Sequence, residues 1–123
     1  MAFMFSFWSC SYEPYTQGKR LYQAFCSNCH MDNGEGLRSL YPPLANSDYL
    51  EKNHDQLACI IANGISGKIV VNGKEYNQAM APVTALNDIE INNIINYINH
   101  AWGNDLGKSN IANVRSNLKK CQQ

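Results

Sequence analysis

Apolar residues recur along this chain with helical spacing. The first such set is spaced at i, i+3, i+4 and i+7: Gly18, Leu21, Tyr22 and Phe25. This spacing predicts an amphipathic helix over residues 17–26. It runs directly into a pair of cysteines, so the chemistry that follows begins at the end of a helix.

The clearest helical pattern lies in the segment NDIEINNIINYINHAWG. Asn87, followed three residues later by Glu90, resembles a capping box and marks the start of the helix. Its apolar stripe consists of Ile91, Ile94, Ile95, Ile98 and Trp102. Gly103 is expected to end the helix after this stripe.

Three weaker patterns predict further helices. A short helix is expected to begin at Ser47 or Asp48, both of which are good N-caps. Residues 54–63 form a second segment, with Gly64 as its C-cap. A last helix covers about residues 110–120, with an apolar face of Ile111, Val114 and Leu118 and with Lys119 and Lys120 at its negative end.

One segment favours strands. Asn72-Gly73 lies between two short β-prone stretches, which is a strong hairpin signal and predicts a small β-hairpin at about residues 69–76. Residues 31–47 are rich in glycine and proline and are predicted to form a loop. The chain is therefore expected to be mainly helical, with one hairpin.

The composition bounds the number of domains and excludes some classes of partner. The 123 residues suit one domain. Ten Lys and Arg residues balance ten Asp and Glu residues, which argues against a nucleic-acid partner because such partners reward a basic surface. No apolar run approaches the roughly 20 residues of a membrane-spanning helix.

The N-terminal segment differs from the rest. MAFMFSFWS is apolar, lacks the basic residues of a signal peptide, and is followed by Cys10. Ser9 and Cys10 resemble a degenerate lipoprotein cleavage site, and the alternative is a free thiol in a frayed end. We expect residues 1–15 to be a signal remnant or lipid anchor with a linker, and residues 16–123 to be the folded domain, with residues 110–121 as an extra C-terminal helix.

The pentapeptide CSNCH, residues 26–30, carries the main chemical signal. Zinc would need four ligands, and the chain has no second matching pair of cysteines or histidines. A thioredoxin-like dithiol would need a strand before the motif, whereas a helix is predicted there. Cys-x-x-Cys-His is the attachment signature of a c-type haem, in which Cys26 and Cys29 form thioethers and His30 binds the iron. The motif therefore predicts one covalent haem c.

A second axial ligand is expected from a methionine. Met31 directly follows His30 and cannot reach the opposite face of the haem. Met80 lies in the non-helical segment YNQAMAPVT, just before the strongest helix. We expect Met80 to be the sixth ligand, and the alternatives are a core-filling role for Met80 or ligation by His54 or His100.

Residues that support the haem are expected in YPPLAN, about a dozen residues after the motif. A ligating imidazole usually donates its second N–H to an oxygen. The carbonyl of Pro42 or Pro43 is placed to accept it from His30, and Leu44 is expected to pack on the ring. The alternative is that YPPLAN forms an ordinary loop turn without a role at the haem.

Taken together, these motifs resemble those of bacterial monohaem cytochromes c of the class I type. The matching segments are the helix leading into CSNCH, the GEG turn, YPPLANSDYL, YNQAMAPV and the helix DIEINNIINYINHAWG, which together span about residues 16–103. The resemblance implies an all-α cytochrome c fold, with about four to five helices around one covalent haem. It also implies that Pro42 supplies the carbonyl that holds His30.

The resemblance implies an electron carrier rather than an enzyme, without a small-molecule substrate. The expected partners are a quinol-oxidising complex and a terminal oxidase or reductase, on the periplasmic side of a bacterial membrane, with Cys10 as a lipid attachment point. Two alternatives are a fixed haem-relay subunit of a larger membrane respiratory complex, and a ligand-binding haem sensor or peroxidase if Met80 is not a ligand. If the haem edge is exposed, its rim is expected to consist of Ser27, Met31, Ala79, Ala81, Pro82 and Val83.

Two cysteines remain after haem attachment and lipidation. An oxidising compartment permits a disulfide between Cys59 and Cys121, which would join the last helix to a middle helix. The alternative is that Cys59 is buried helix core. A Cα–Cα distance beyond about 7 Å would exclude the bond.

Overall fold

The structure, a computed structural model, describes Met4, Cys10 and residues 13–122. Within these residues it contains six α-helices and one two-stranded hairpin. In chain order the elements are α1 (Thr16–Phe25), α2 (Ser27–His30), α3 (Asp48–Lys52), a 3₁₀ turn (His54–Gln56), α4 (Leu57–Asn63), β1 (Ile69–Val71), β2 (Lys74–Tyr76), α5 (Asp88–His100) and α6 (Ile111–Lys120). The predicted mainly helical fold with one hairpin is confirmed. The structure has six helices rather than the expected four to five, because it includes two very short ones, α2 and α3.

Helices α1 and α5 pack against each other and form the centre of the domain. Gly18 allows this contact, because a Cβ at this position would overlap the backbone carbonyl of Asn93. One turn later, Tyr22 is completely buried and its ring lies 5.4 Å from that of Tyr97 and 5.0 Å from that of Trp102, between ring centroids. Helix α1 is thereby fixed to α5.

Helix α5 begins as predicted. The Asn87 side chain accepts a hydrogen bond from the Glu90 backbone N–H at 2.8 Å, and the Glu90 carboxylate accepts one from the Asn87 backbone N–H at 3.1 Å. This reciprocal pair is a capping box. The buried aliphatic face consists of Ile91, Ile94, Ile95 and Ile98.

The end of α5 differs from the prediction. The helix stops at His100, three residues before Gly103. Trp102 therefore lies beyond the helix, with a left-handed backbone (φ 54°), and is not part of its stripe. Its indole N–H donates to the carbonyl oxygen of Asp32 at 2.8 Å. The helix thus ends before Trp102, and Trp102 contacts a residue far away in the sequence. The periodicity of the sequence does not reveal this contact.

The predicted hairpin is confirmed, and its turn contacts the rest of the domain. β1 and β2 are antiparallel, with Ile69 opposite Tyr76. The Asn72 side chain accepts from the Asp48 backbone N–H at 3.0 Å, and the Asp48 carboxylate accepts from the Asn72 backbone N–H at 2.7 Å. The Asn72 amide also donates to the carbonyl of Asn46 at 3.1 Å. Three hydrogen bonds therefore hold the turn against the start of α3.

The segment 54–63 is divided, whereas one helix was predicted. The backbone N–H of Gln56 donates to the carbonyl of Asn53 at 2.9 Å, a tight 3₁₀ bond, and α4 begins only at Leu57. Helix α6 agrees with the prediction for residues 110–120 and is capped by the Asn110 side chain.

A disulfide joins Cys59 in α4 to Cys121 at the end of α6, with a Cα–Cα distance of 6.1 Å. The pairing considered from the sequence is therefore present. It closes a loop across 62 positions of the chain and joins the C-terminal helix to the centre of the fold.

The N-terminal predictions lie mostly outside the described residues. Cys10 is described and is exposed, with a free thiol. The division into a segment of residues 1–15 and a domain of residues 16–123 stays a prediction. No helix in the described part of the chain is long and apolar enough to cross a membrane.

Candidate functional site

A cavity of about 470 Å³ lies among α1, α4, α5, the hairpin and the loops around Pro42 and Met80. Its size is within the usual range of cofactor sites, about 300–1,000 Å³. All six predicted site residues line it: Cys26, Cys29, His30, Pro42, Leu44 and Met80. The structure therefore brings residues from three distant segments to one place.

The two cysteines follow the last turn of α1. The Cys26 backbone N–H donates to the carbonyl of Tyr22 at 2.8 Å, and α2 then turns the chain so that Cys29 and His30 face the same cavity. Cys26 is buried and Cys29 is exposed. Burial, reinforced by Cys29, raises the pKa of the Cys26 thiol to about 11.

The imidazole of His30 is buried and has a single orientation. Its Nδ1 donates to the carbonyl oxygen of Pro42 at 2.9 Å, and Pro42 rather than Pro43 makes this contact. Burial lowers the pKa of His30, against the opposing effect of the Pro42 hydrogen bond. The lowered pKa favours the neutral ring, in which Nε2 is the nitrogen able to bind a metal.

Two aromatic donors hold the backbone that follows His30. The Tyr22 hydroxyl donates to the carbonyl of Met31 at 2.6 Å, and the Trp102 indole N–H donates to that of Asp32. Burial raises the pKa of Tyr22, so the hydroxyl keeps its proton. From the sequence, Tyr22 and Trp102 were assigned only to apolar stripes, although buried Tyr and Trp usually need a hydrogen-bond partner.

Met80 is held from the opposite side of the site. Its backbone exchanges two hydrogen bonds with Ile65, one of 3.1 Å and one of 2.9 Å. Gly64 precedes this bridge with φ 73°, and a Cβ at Gly64 would overlap the Met80 carbonyl oxygen. The short bridge fixes the backbone of Met80, and its half-buried side chain lines the cavity.

The alternative histidines do not line this cavity. His54 lies on the surface, where its Nε2 is 3.1 Å from the Asp55 carboxylate. His100 stacks on Tyr15 with ring centroids 4.6 Å apart, and its Nδ1 donates to the Asn96 carbonyl at 2.7 Å. No group of three or more His, Cys, Asp or Glu side chains able to hold a metal ion occurs among the residues that the structure describes.

The predicted rim is only partly found at the cavity. Ala79, Ala81, Pro82 and Val83 line it, and the first three are exposed. Ser27 and Met31 do not line it. Ser27 turns its hydroxyl back to the carbonyl of Gln23 at 2.8 Å, which explains its absence from the cavity wall.

Sequence reasoning missed much of the cavity wall. Residues from α4 and the hairpin contribute to it: Leu57, Ile60, Ile61, Ile69, Val71 and Tyr76. Alternation along β1 was a usable signal, because Ile69 and Val71 share one face of the strand. Polar groups from Tyr41, Ser47, Tyr49 and Gln78 complete the lining. Their positions depend on loop conformation, which has no period.

The donor set fits a covalent haem. Two thiols, a neutral imidazole and a thioether line one cavity, and the other lining residues are mostly apolar. Thioether and imidazole are typical axial ligands of haem iron, and thiols three residues apart are the attachment points of haem c. Residues Cys26 and Cys29 would hold the group, with His30 and Met80 at the iron.

Comparisons with known proteins match most of the chain. A family model described as Cytochrome c matches residues 15–102. A cytochrome c-552 of Thermus thermophilus is 37% identical over 90 residues, a match that covers 70% of this chain and 68% of that protein. A second cytochrome c-552 from the same species is also 37% identical over 90 residues, covering 70% of this chain and 60% of that protein.

A third relative is part of a larger assembly. The cytochrome c subunit of the quinone-dependent alcohol dehydrogenase of Gluconobacter oxydans is 29% identical over 91 residues. The match covers 72% of this chain but only 19% of that subunit. The similarity is therefore to one module of that protein.

Proposed function

This chain belongs to the cytochrome c family and carries haem c, and from this membership we propose that it transfers single electrons from a quinol-oxidising respiratory complex to a terminal oxidase or reductase. The observation that supports the proposal most is that Cys26, Cys29, His30 and Met80 line one mostly apolar cavity. The family establishes an electron carrier, and the respiratory partners are the part that we propose.

The residues of the site have distinct proposed roles. Cys26 and Cys29 attach the haem, His30 and Met80 bind the iron, and Pro42 and Leu44 support the ring. Haem c held in this way supplies a one-electron couple at its iron. The soft thioether of Met80 favours the ferrous form, and the apolar wall excludes water. With His30 and Met80 both bound to the iron, no site on the metal would be left open for a small molecule.

We propose the exposed rim of Ala79, Ala81 and Pro82 as the place where redox partners dock. Phe25, whose exposed fraction is 43%, adds an apolar group at the same cavity. Complexes between electron-transfer proteins are typically small and short-lived. A net charge of zero adds little long-range attraction, so a small apolar rim suits brief contact.

We further propose that the protein works on the periplasmic side of the membrane, attached through a lipid on Cys10. The disulfide between Cys59 and Cys121 is consistent with an oxidising compartment. The exposed thiol of Cys10 is free for modification. Cell fractionation tests the anchor: Cys10→Ser should move the protein from the membrane to the soluble fraction, and an unchanged distribution would contradict lipidation.

Optical spectra of the purified protein in both oxidation states test the haem site. We expect the ferric charge-transfer band of a sulfur–iron bond and a low-spin ferrous spectrum that carbon monoxide does not change. A missing band together with ready carbon monoxide binding would instead favour a sensor or peroxidase.

A fixed relay subunit is the second candidate, favoured by the similarity to a cytochrome c subunit of a dehydrogenase. Size-exclusion chromatography of the native protein, extracted from its membrane in mild detergent, separates the two. A carrier should elute alone at about its own mass, 13.8 kDa plus detergent and haem. Stable co-elution with a larger oxidoreductase would overturn the carrier proposal.

A further inference from the structure

The segment between α5 and α6, residues 104–110, is here called the strap. It lies outside residues 15–102, the part of the chain that the cytochrome c family model matches. Its first residue, Asn104, uses its whole side-chain amide. The Nδ2 group donates to the carbonyls of Leu44 at 3.0 Å and Ile98 at 2.8 Å, and Oδ1 accepts from the backbone N–H of Asn46 at 2.8 Å. The strap therefore contacts the loop that contains Pro42.

The strap itself is fixed to α5 by two buried asparagines. Asn96 donates to the Ser109 carbonyl at 3.0 Å and accepts from the Ser109 backbone N–H at 2.8 Å. Asn99 donates to the Gly107 carbonyl at 3.1 Å. Both asparagines are about 95% buried, at 6% and 5% exposure. Asn104 therefore contacts the loop from a segment that is held firmly against α5.

The other side of the loop is held by a different partner. The backbone N–H groups of Leu44 and Ala45 both donate to the carbonyl of Gly34, at 2.8 and 2.9 Å. Residues 44–46 are thus fixed between Gly34 and Asn104. Pro42, two residues before Leu44, makes the hydrogen bond to His30. The position of that carbonyl depends on how firmly the loop is held.

We propose that Asn104 is a positioning residue for His30, which acts by holding residues 44–46 so that the Pro42 carbonyl stays on Nδ1. This inference rests on the proposed function, since it takes His30 to be the iron ligand. A hydrogen bond to Nδ1 raises the basicity of a ligating imidazole. A loosened loop weakens this bond, and the imidazole becomes a poorer donor that stabilises ferric iron less. The reduction potential therefore rises.

Two variants of the intact holoprotein test the inference. Asn104→Ala removes all three hydrogen bonds, whereas Asn104→Asp keeps the acceptor for Asn46 and loses both donors. Asn110→Ala is the matched control, because it removes the α6 cap, an exposed bond to Asn113 at 2.9 Å. The measurements are the reduction potential, solvent exchange of the His30 Nδ1 proton by NMR, and the denaturant midpoint.

We expect Asn104→Ala to raise the potential and to speed the exchange of the His30 proton. In Asn104→Asp the carboxylate is repelled by the Leu44 and Ile98 carbonyls, so the exchange should also become faster. Asn110→Ala should lower only the denaturant midpoint. Wild-type potential and exchange in both Asn104 variants would overturn the inference, even if their stability fell. If Asn104→Ala does not fold, the exchange of the His30 proton in Asn104→Asp decides the outcome, because the added negative charge would by itself lower the potential. The proposed function is tested separately, on the wild-type ferric protein. If its His30 signals lack the paramagnetic shift of an iron ligand, ligation by His30 is itself contradicted.

Discussion

The Nδ1 atom of His30 lies 2.9 Å from the carbonyl oxygen of Pro42, twelve residues further along the chain. This contact fixes both the tautomer and the orientation of the ring. A carbonyl only accepts, so the proton is on Nδ1 and Nε2 is the nitrogen left able to bind a metal. In the proposed site, Met80 would supply the other axial ligand.

Replacement of Met80 should open that axial position. Met80→Leu keeps the side-chain volume but removes the thioether, so the sulfur–iron band should disappear, the potential should fall and carbon monoxide should bind the ferrous protein. Met31→Leu is the matched control, because Met31 does not line the cavity. An unchanged spectrum in Met80→Leu would contradict ligation by Met80.

Gly64 should be essential for the Met80 segment. Gly64→Ala places a Cβ against the Met80 carbonyl at a backbone φ of 73°, whereas Gly67→Ala meets no atom within 4 Å at a φ of 90°. Both substitutions place an L side chain at a positive φ, which costs about 1–3 kcal/mol. Gly64→Ala should lose roughly 1–3 kcal/mol more, from overpacking, and should weaken the sulfur–iron band. Equal denaturant midpoints for the two variants would contradict the close contact.

Loss of the disulfide should destabilise the fold without changing the site. In the Cys59→Ala/Cys121→Ala variant, the free energy of unfolding should fall by about 2–4 kcal/mol, because the unfolded chain is no longer constrained. Denaturant titration measures this change, with Cys10→Ser as the control that keeps the bond. The optical spectrum should stay that of the wild type. A free energy of unfolding equal to that of Cys10→Ser would show that the bond does not contribute.

Acid should weaken the contact between the hairpin turn and α3. The Asn72 backbone N–H, more than any other group, holds the pKa of Asp48 below its usual value. Because the folded pKa is the lower one, the contribution of Asp48 to stability is complete above the ordinary aspartate pKa, about 4, and is lost as the pH falls through the folded pKa.

A non-titrating variant tests this pH dependence. Asp48→Asn keeps an acceptor oxygen, so its denaturant midpoint should fall less steeply than that of the wild type between about pH 6 and about pH 3. The control is Asp55→Asn, which removes an exposed carboxylate and leaves the contact between Asp48 and Asn72 intact. Parallel slopes for the wild type and Asp48→Asn would contradict the prediction.

Local signals predicted much of this molecule. The capping box of Asn87 and Glu90 and the Asn72-Gly73 turn are contained in a few residues each, and the structure places both as expected. The attachment motif and Met80 follow from chemistry and spacing, and they line one cavity. Such features are encoded by neighbours in the sequence, so no knowledge of the fold is needed to find them.

Features made by distant segments were not predicted. The early end of α5 accompanies a bond from Trp102 to Asp32, 70 positions away, and the contact between Asn104 and Leu44 joins residues 60 positions apart. An asparagine in a loop gives no periodic signal, because its partner is a backbone carbonyl that every residue has. Only the folded chain shows which carbonyl it is.

The disulfide also has a consequence for how the protein is made. Two thiols three residues apart close a far smaller loop than two thiols 62 positions apart, so an oxidant acting on the unfolded chain would join Cys26 to Cys29 first. That product cannot add to a haem vinyl group. With the haem attached as proposed, maturation requires an order of events. Cys26 and Cys29 must be kept reduced until the thioethers form, and Cys59 and Cys121 must be oxidised by a step that leaves the first pair untouched.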